Sequence, residues 1–383
     1  MDGVVASGPA ATAPRERGWR WFVLALVLMV LVTSAPAWPP PLALLAGAIR
    51  LLLPVEQFAL LVLVAIASCG IVGWWSGGRL LMGLVWVAAA AYVVWRVPLP
   101  LTGYGAFLRG WAVTVGAAFG LVCLASPSRP FLSRGLAAIA LAGGVTLVGF
   151  ATRAVDGASA SAAAEQMLSR EYQQRLGAAL DAWRSRSTST TWREFSRRVP
   201  EAMDRANRLE AVLVALGEPV TASDAVGGSR AGPLVRLAPA LLALESLAAL
   251  ALGWAAYHRL TRSRIGPPLG ALRDLRFNDQ CVWGLVVGIT VLLLPTLVEW
   301  RTVGLNLLCF FGTLYALRGA GVLTWWVPDR IAGWALLALL VLVPILGPMW
   351  VLVTVLAITF SLGLGDTWRD FRAGAAPRRP SSP

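Results

Sequence analysis

Glu245 stands eight residues into the run from Leu237 to Trp254, which holds no other charged side chain. At the centre of a membrane helix an ionised carboxylate costs at least ~2.5–3.5 kcal/mol, so it must face other helices and be paired or protonated. Two chemistries satisfy that demand. Glu245 either holds a proton or a substrate, or it makes a structural bond to a hydroxyl or a buried Arg on a neighbouring helix. Asn306 poses a related question, within Gly304-Leu305-Asn306-Leu307-Leu308. An amide among hydrocarbon side chains seeks a partner on another helix, a contact worth ~0.6–2 kcal/mol. Glu245 and Asn306 are therefore the candidate ligand-binding residues.

A second group lies where apolar runs meet water. Arg276, Asn278, Asp279 and Gln280 open directly onto an apolar run that starts at Cys281. Asn278 or Asp279 can cap the helix that follows, and a carboxylate there meets the positive end of its dipole. Arg276 and Asp279 are placed to form an ion pair. Arg318 ends a run in which Gly312, Gly319 and Gly321 permit close helix contact, and its long stem lets the charge reach toward water. In Gly365-Asp366-Thr367-Trp368-Arg369-Asp370-Phe371-Arg372, Asp366 and Asp370 fall on one helical face. Paired carboxylates suit acid–base work, yet Arg369 and Arg372 beside them point to a surface ion-pair network. Arg276, Asn278, Asp279, Gln280, Arg318, Asp366 and Asp370 together make a candidate mouth or partner-docking surface.

Enzymatic chemistry finds little support. GxSxG, Walker and HExxH motifs are all lacking. His258 is the only histidine, and Cys69, Cys123, Cys281 and Cys309 are scattered without CxxC spacing. Neither a metal nor another cofactor is called for.

These residues sit in a chain that is 57% hydrophobic and only 14% charged, against about 25% charged in a soluble domain. Between Arg153 and Arg230 lie eleven Arg and ten acids; charges elsewhere border the apolar runs. All 33 basic residues are arginine, and the net charge is +13. That charge is spread over loops rather than gathered on one element, which argues against nucleic-acid binding. The expected fold is all-α, a polytopic transmembrane bundle of about ten spans with an extramembrane amphipathic helical hairpin. A span takes ~20 apolar residues, and the runs 22–38, 58–76, 80–96, 107–125, 135–152, 235–258, 281–299, 303–318, 331–346 and 348–364 qualify or nearly so. The stretch 42–53 is too short to cross and reads as re-entrant or interfacial.

Arginines in the N-terminal tail, in loops 126–134 and 259–276, and in the C-terminal tail fall on one side when ten spans are counted. The positive-inside rule makes that side cytoplasmic, with both termini there, in a bacterial inner membrane. Tryptophans at run ends, among them Trp74, Trp75, Trp95, Trp300 and Trp325, suit the bilayer interface. The organisation is an N-terminal transmembrane bundle over 1–152, a charged helical hairpin over 153–232, a C-terminal bundle over 233–372 and a disordered tail over 373–383. In the hairpin Leu168, Tyr172, Leu176, Leu180 and Trp183 recur at helical spacing, as do Trp192, Phe195 and Val199.

Three segments, GPPLGALRDLRFNDQCVWGLVVG (266–288), GLNLLCFFGTLYALRGAGV (304–322) and LGLGDTWRDFR (362–372), resemble the YybS-like family of bacterial membrane proteins. The likeness covers the last ~150 residues and transfers no catalytic residue, since the family has no assigned activity. It implies a helical membrane fold loosely similar to the substrate-binding subunits of energy-coupling-factor transporters. Ten spans and an external insertion exceed the compact six-helix design of such subunits. Their small-xxx-small docking pattern is absent from Phe22–Trp38. The expected role is a small-molecule-binding or transport-related membrane subunit, with the bilayer and a membrane or ATPase coupling subunit as partners. The alternative is a structural or scaffolding envelope protein.

Overall fold

The computed structural model describes residues 55–77, 80–96, 103–153, 160–198, 204, 207, 210–211, 233–260, 264–326, 349–369 and 371. The expected span 22–38, the short stretch 42–53, the span 331–346 and the tail 373–383 lie outside the described residues, as does Asp370. Every regular element among the described residues is helical. They are α1 (Val55–Trp75), α2 (Leu80–Arg96), α3 (Gly103–Ala125), α4 (Phe131–Arg153), α5 (Ala160–Ser187), α6 (Thr190–Arg198), α7 (Pro233–Leu260), α8 (Val282–Leu293), α9 (Arg301–Trp326) and α10 (Met349–Gly365).

Five of the described segments are long and apolar enough to cross a membrane: Gln57–Trp75, Gly103–Ala125, Phe131–Gly149, Val235–Arg259 and Pro295–Trp325. A membrane face also shows in the side chains left outside. Leu81, Leu147, Val148 and Leu293 are each more than half exposed. An apolar outer surface of that kind is costly in water and is what lipid tails cover. Trp75, Trp95, Trp300 and Trp368 point outward from helix ends, while Trp254 is fully buried in the core.

The expected run 281–299 is not one continuous α-helix. α8 stops at Leu293, Leu294 adopts an extended conformation (φ −77°, ψ 119°), and Pro295–Trp300 form a 3-10 turn leading into α9. Pro295 has no N–H to donate, and its ring restricts the residue before it, so the helix ends there. At ~1.5 Å per residue α8 alone covers ~18 Å, short of the ~30 Å hydrocarbon thickness.

α1, α3 and α7 form the centre and run in one direction. Gln57, Tyr104 and Glu245 meet near one end, and Trp111 donates to Ser246 further along. Phe119 packs edge-on against Trp254 toward the other end. α7 meets α1 at Gly253, where a Cβ would lie 2.8 Å from Ala65 Cβ. α4 lies antiparallel to α7, with Gly135 against Leu247 and Phe131 against Trp254. The link from α1 to α2 turns at Gly77, whose φ of +92° suits glycine. α8 and α9 cross at Gly288 and Gly304, each within 3.1 Å of the other's carbonyl oxygen once a Cβ is imagined. α9 and α10 are antiparallel and closer still. Gly319 lies against Thr359 and Gly363 against Tyr315, the two backbones in direct contact. Gly321 packs on Leu272 O. Gly312, expected at a helix contact, has nothing within 4 Å.

The helical spacing in the charged window is real in the packing. Tyr172, Leu176 and Leu180 are buried, and α5 lays that face against α3, α4 and α7. Beyond α6, Glu210 reaches back to Arg184 on α5 at 3.5 Å.

The backbone contact at Gly319 predicts that Gly319→Val forces α9 and α10 apart and lowers stability by about 1–3 kcal/mol or more. Gly312→Ala, with open space around it, is expected to be neutral or to stabilise by up to about 1 kcal/mol. Thermal unfolding of both variants in detergent checks the pair.

Candidate functional site

α7 carries Glu245 near its middle, inside the triangle formed by α1, α3 and α7, and the side chain is 6% exposed. Gln57 Nε2 donates to Glu245 Oε2 at 2.8 Å. Tyr104 OH donates to Gln57 Oε1 at 3.2 Å. Glu245 Oε1 has no hydrogen-bond partner among the described residues, and no Arg comes within ion-pair distance of the carboxylate. The nearest cation stands one layer outward on α5. The Arg175 guanidinium lies 5.1 Å from the Tyr104 ring centroid and pairs with Glu171 at 2.8 Å. Tyr172, one turn before Arg175, faces the same cluster. Burial pushes its phenol up to about 12, partly offset by Arg175, so the hydroxyl stays protonated at neutral pH. A carboxylate, an amide and two phenols thus converge beneath a helix that enters from outside the apolar core.

Asn306 lies elsewhere and is fully engaged. Its Oδ1 accepts from Ala240 N at 2.9 Å. Its Nδ2 donates to Arg236 O at 2.6 Å and to Thr302 O at 2.7 Å. Ala240 N and Arg236 O are the two groups an uninterrupted helix pairs with each other. Pro239 sits inside α7 beside them, and proline disturbs the hydrogen bonds of the preceding turn. Asn306 on α9 bonds both groups of this turn. With both amide hydrogens used, its geometry is that of a helix clamp and not of a ligand contact.

The mouth residues divide. Arg318 does not reach out to water: its side chain is 5% exposed and the Asp366 side chain 1%. Arg318 Nε donates to Asp366 Oδ2 at 3.0 Å and Nη2 to the Asp366 backbone oxygen at 2.9 Å. Nη1 reaches Asp279 Oδ1 at 3.1 Å, and the guanidinium stands 5.3 Å from the Phe277 ring centroid. Asp366 therefore belongs to a buried ion pair joining α9 to the end of α10, in place of the expected surface network. Asp279, itself 64% exposed, pairs with Arg318 instead of the expected Arg276. Asn278 Oδ1 accepts from Gln280 N at 3.1 Å, and its amide donates to Gln280 Oε1 at 3.0 Å. Those two side chains organise the turn before α8. Arg276, Asn278, Asp279 and Gln280 all face outward.

Three residues escaped the sequence reading as site candidates. Arg134, counted only as a loop charge, is fully buried against Trp254, and His258 lies against the same indole. No local pattern marks Arg134, because the indole that covers it lies more than a hundred residues further along the chain. Gln57 was missed for the same reason: its partner Glu245 is 188 residues away.

Residues 182–359, a little under half of the chain, match the family described as Predicted membrane protein (DUF2232). The chain is a multi-helix membrane protein. The matched stretch contains Glu245, Asn306 and Arg318, while Gln57, Arg134 and Asp366 lie outside it. No curated protein and no solved structure matches the chain.

The buried pair predicts a thermodynamic cycle. Arg318→Met or Asp366→Asn alone leaves an uncompensated group and should cost about 3–5 kcal/mol, whereas the double variant should recover much of that loss. Asp279→Asn, at the exposed side of the cluster, should cost less than about 1 kcal/mol. Unfolding midpoints of the four proteins in one detergent measure the cycle.

Proposed function

We propose that this chain is a small-molecule-binding or transport-related membrane subunit whose ligand sits at Glu245. The observation that carries the reading is the state of that carboxylate. It is buried among helices, held by an amide donor rather than by a cation, and keeps one oxygen without a partner among the described residues. A structural carboxylate at this depth is expected to have both oxygens bonded or a guanidinium against it, as Asp366 has. Glu245 and Gln57 present acceptors, and Tyr104 and Tyr172 present hydroxyls beside aromatic faces. The set suits a small ligand with a protonated amine or several hydrogen-bond donors, or a proton alone.

α5 belongs to the same reading. Its Tyr172 and Arg175 cover the Tyr104 side of the cluster, so ligand entry from that side goes with movement of α5 away from α3 and α7. The exposed turn with Arg276, Asn278, Asp279 and Gln280 is, in this reading, the face for a coupling membrane subunit or ATPase. With the arginine-rich loops toward the cytoplasm, that face is on the inner side of a bacterial inner membrane. The likeness to energy-coupling-factor substrate-binding subunits supports it by analogy.

Glu245→Gln is the deciding variant, since glutamine keeps an oxygen for the Gln57 donor and removes the charge. Its unfolding midpoint should stay within about 1 kcal/mol of the parent. Native mass spectrometry of protein extracted gently from its own membranes should show a retained small molecule in the parent and none in Glu245→Gln. Parent and variant both bare of small molecules, with Glu245→Gln markedly less stable, would instead assign Glu245 to holding the helices together.

A further inference from the structure

The most costly side chain described in this structure is Arg134, in the first turn of α4. It is 0% exposed. Its Nη1 contacts Cys123 Sγ at 3.9 Å, and its guanidinium carbon stands 4.3 Å from the Trp254 ring centroid. Nε and Nη2 are sealed from solvent with no hydrogen-bond partner, and no carboxylate pairs with the group among the described residues. His258 is 2% exposed, and both of its ring nitrogens are likewise without partners. Its ring centroid is 4.6 Å from that of Trp254. Two donor-bearing side chains thus flank one indole with four nitrogen atoms unused.

An aromatic face attracts a desolvated cation, and a thiol adds a weak contact, but neither replaces the hydration a guanidinium gives up. The deficit calls for an anion. The surroundings fit one. Arg129 in the preceding loop, and Arg259 and Arg264 beyond His258, are exposed. The first turn of α4, a 23-residue helix, brings its free N–H groups to the same end. What closes the place is a loop. Trp254 Nε1 donates to Pro267 O at 3.1 Å, and Ile265 N to Tyr257 OH at 2.9 Å. Between them Gly266, at φ +74°, lies against the guanidinium so tightly that a Cβ would sit 2.6 Å from Nη2.

We propose that Arg134 and His258 form an anion site for a phosphate group, covered in this conformation by the Gly266 loop and filled when that loop lifts. A planar guanidinium fork matches two phosphate oxygens, and basic pockets between membrane helices on the arginine-rich side hold anionic headgroups. The bilayer-facing flanks of α4 and the exposed arginines favour the phosphodiester of an anionic lipid over a soluble phosphate. The Glu245 cluster lies further along α7 toward its other end and plays no part in this site.

The test compares unfolding in nanodiscs of phosphatidylcholine alone with nanodiscs that also contain phosphatidylglycerol. The parent Tm should rise by about 5 °C with the anionic lipid. Native mass spectrometry should find phosphatidylglycerol retained. Arg134→Leu should lose that rise while its Tm in phosphatidylcholine is unchanged or higher, since it removes a buried unpaired charge. Arg264→Gln, on the surface, should reduce the rise and leave the fold intact. Inorganic phosphate producing the same rise in phosphatidylcholine discs, lost in Arg134→Leu, would assign the site to a free oxyanion. A parent with no response to either probe overturns the proposal, as does a response that Arg134→Leu and Arg264→Gln leave unchanged. A Tm fall in Arg134→Leu together with a normal response in Arg264→Gln would make Arg134 a packing residue only.

Discussion

A peptide group or charged side chain at the depth of lipid tails must find its partner inside the protein, because no water is there to replace it. The placement of this chain's polar residues follows from that constraint. Where Pro239 disturbs the ladder of α7, Asn306 on α9 supplies the acceptor for Ala240 N and the donor for Arg236 O. Where Arg318 enters the helix interior, two of its nitrogens are taken by Asp366 and a third by Asp279. Both arrangements tie neighbouring helices as a consequence of satisfying one residue. Small residues then let the helices approach closely enough for such bonds to reach. Gly319 against Thr359 and Gly253 against Ala65 are contacts at which a larger side chain has no room.

Against that background the incompletely satisfied groups stand apart. Among the described residues Glu245 Oε1 has no hydrogen-bond partner, and Arg134 and His258 each have two nitrogens without one. Other buried groups, Ser68, Ser246 and Thr359 among them, bond to a backbone oxygen of their own helix or a neighbour. The contrast is between groups whose partners come from the same chain and groups left poised for something else. The two sets also differ in sign. The carboxylate lies near the middle of α7, on the side that α5 covers, and the cations lie at the end that receives the arginine-rich loops.

What could be read from sequence depended on the range of the interaction. Apolar run length anticipated α2 to the residue and α1, α3, α4, α7 and α10 to within a few, since helix length in a membrane is a local property. The 3.6-residue spacing of Tyr172, Leu176 and Leu180 identified the buried face of α5. Glu245 announced itself by cost alone. The break at Pro295 was also written locally, yet hydropathy counting runs straight across a proline and merges the two pieces. The partners were not legible. Arg318 has the length to reach water, and nothing in its own segment shows that Asp366, 48 residues on, waits beneath it. Arg134 counted only as a loop charge and Gln57 drew no attention, because their neighbours come from distant parts of the chain.

The parallel set of α1, α3 and α7 has a consequence for how the protein is made. α7 contributes Leu250, Trp254 and Tyr257 to a core in which α1, α3 and α4 are synthesised earlier and α9, with Leu314, later. Translation at ~5–20 residues per second leaves the earlier helices waiting on the order of ten seconds after α3 is complete. Through that interval Gln57 lacks its carboxylate partner, Arg134 lacks the indole beside it, and the inner face of α5 has only part of its seat. The early helices must therefore rest against one another, against lipid or against the insertion machinery until a segment from the second half arrives. Assembly order, and not only final packing, is thus set by which helix lies at the centre.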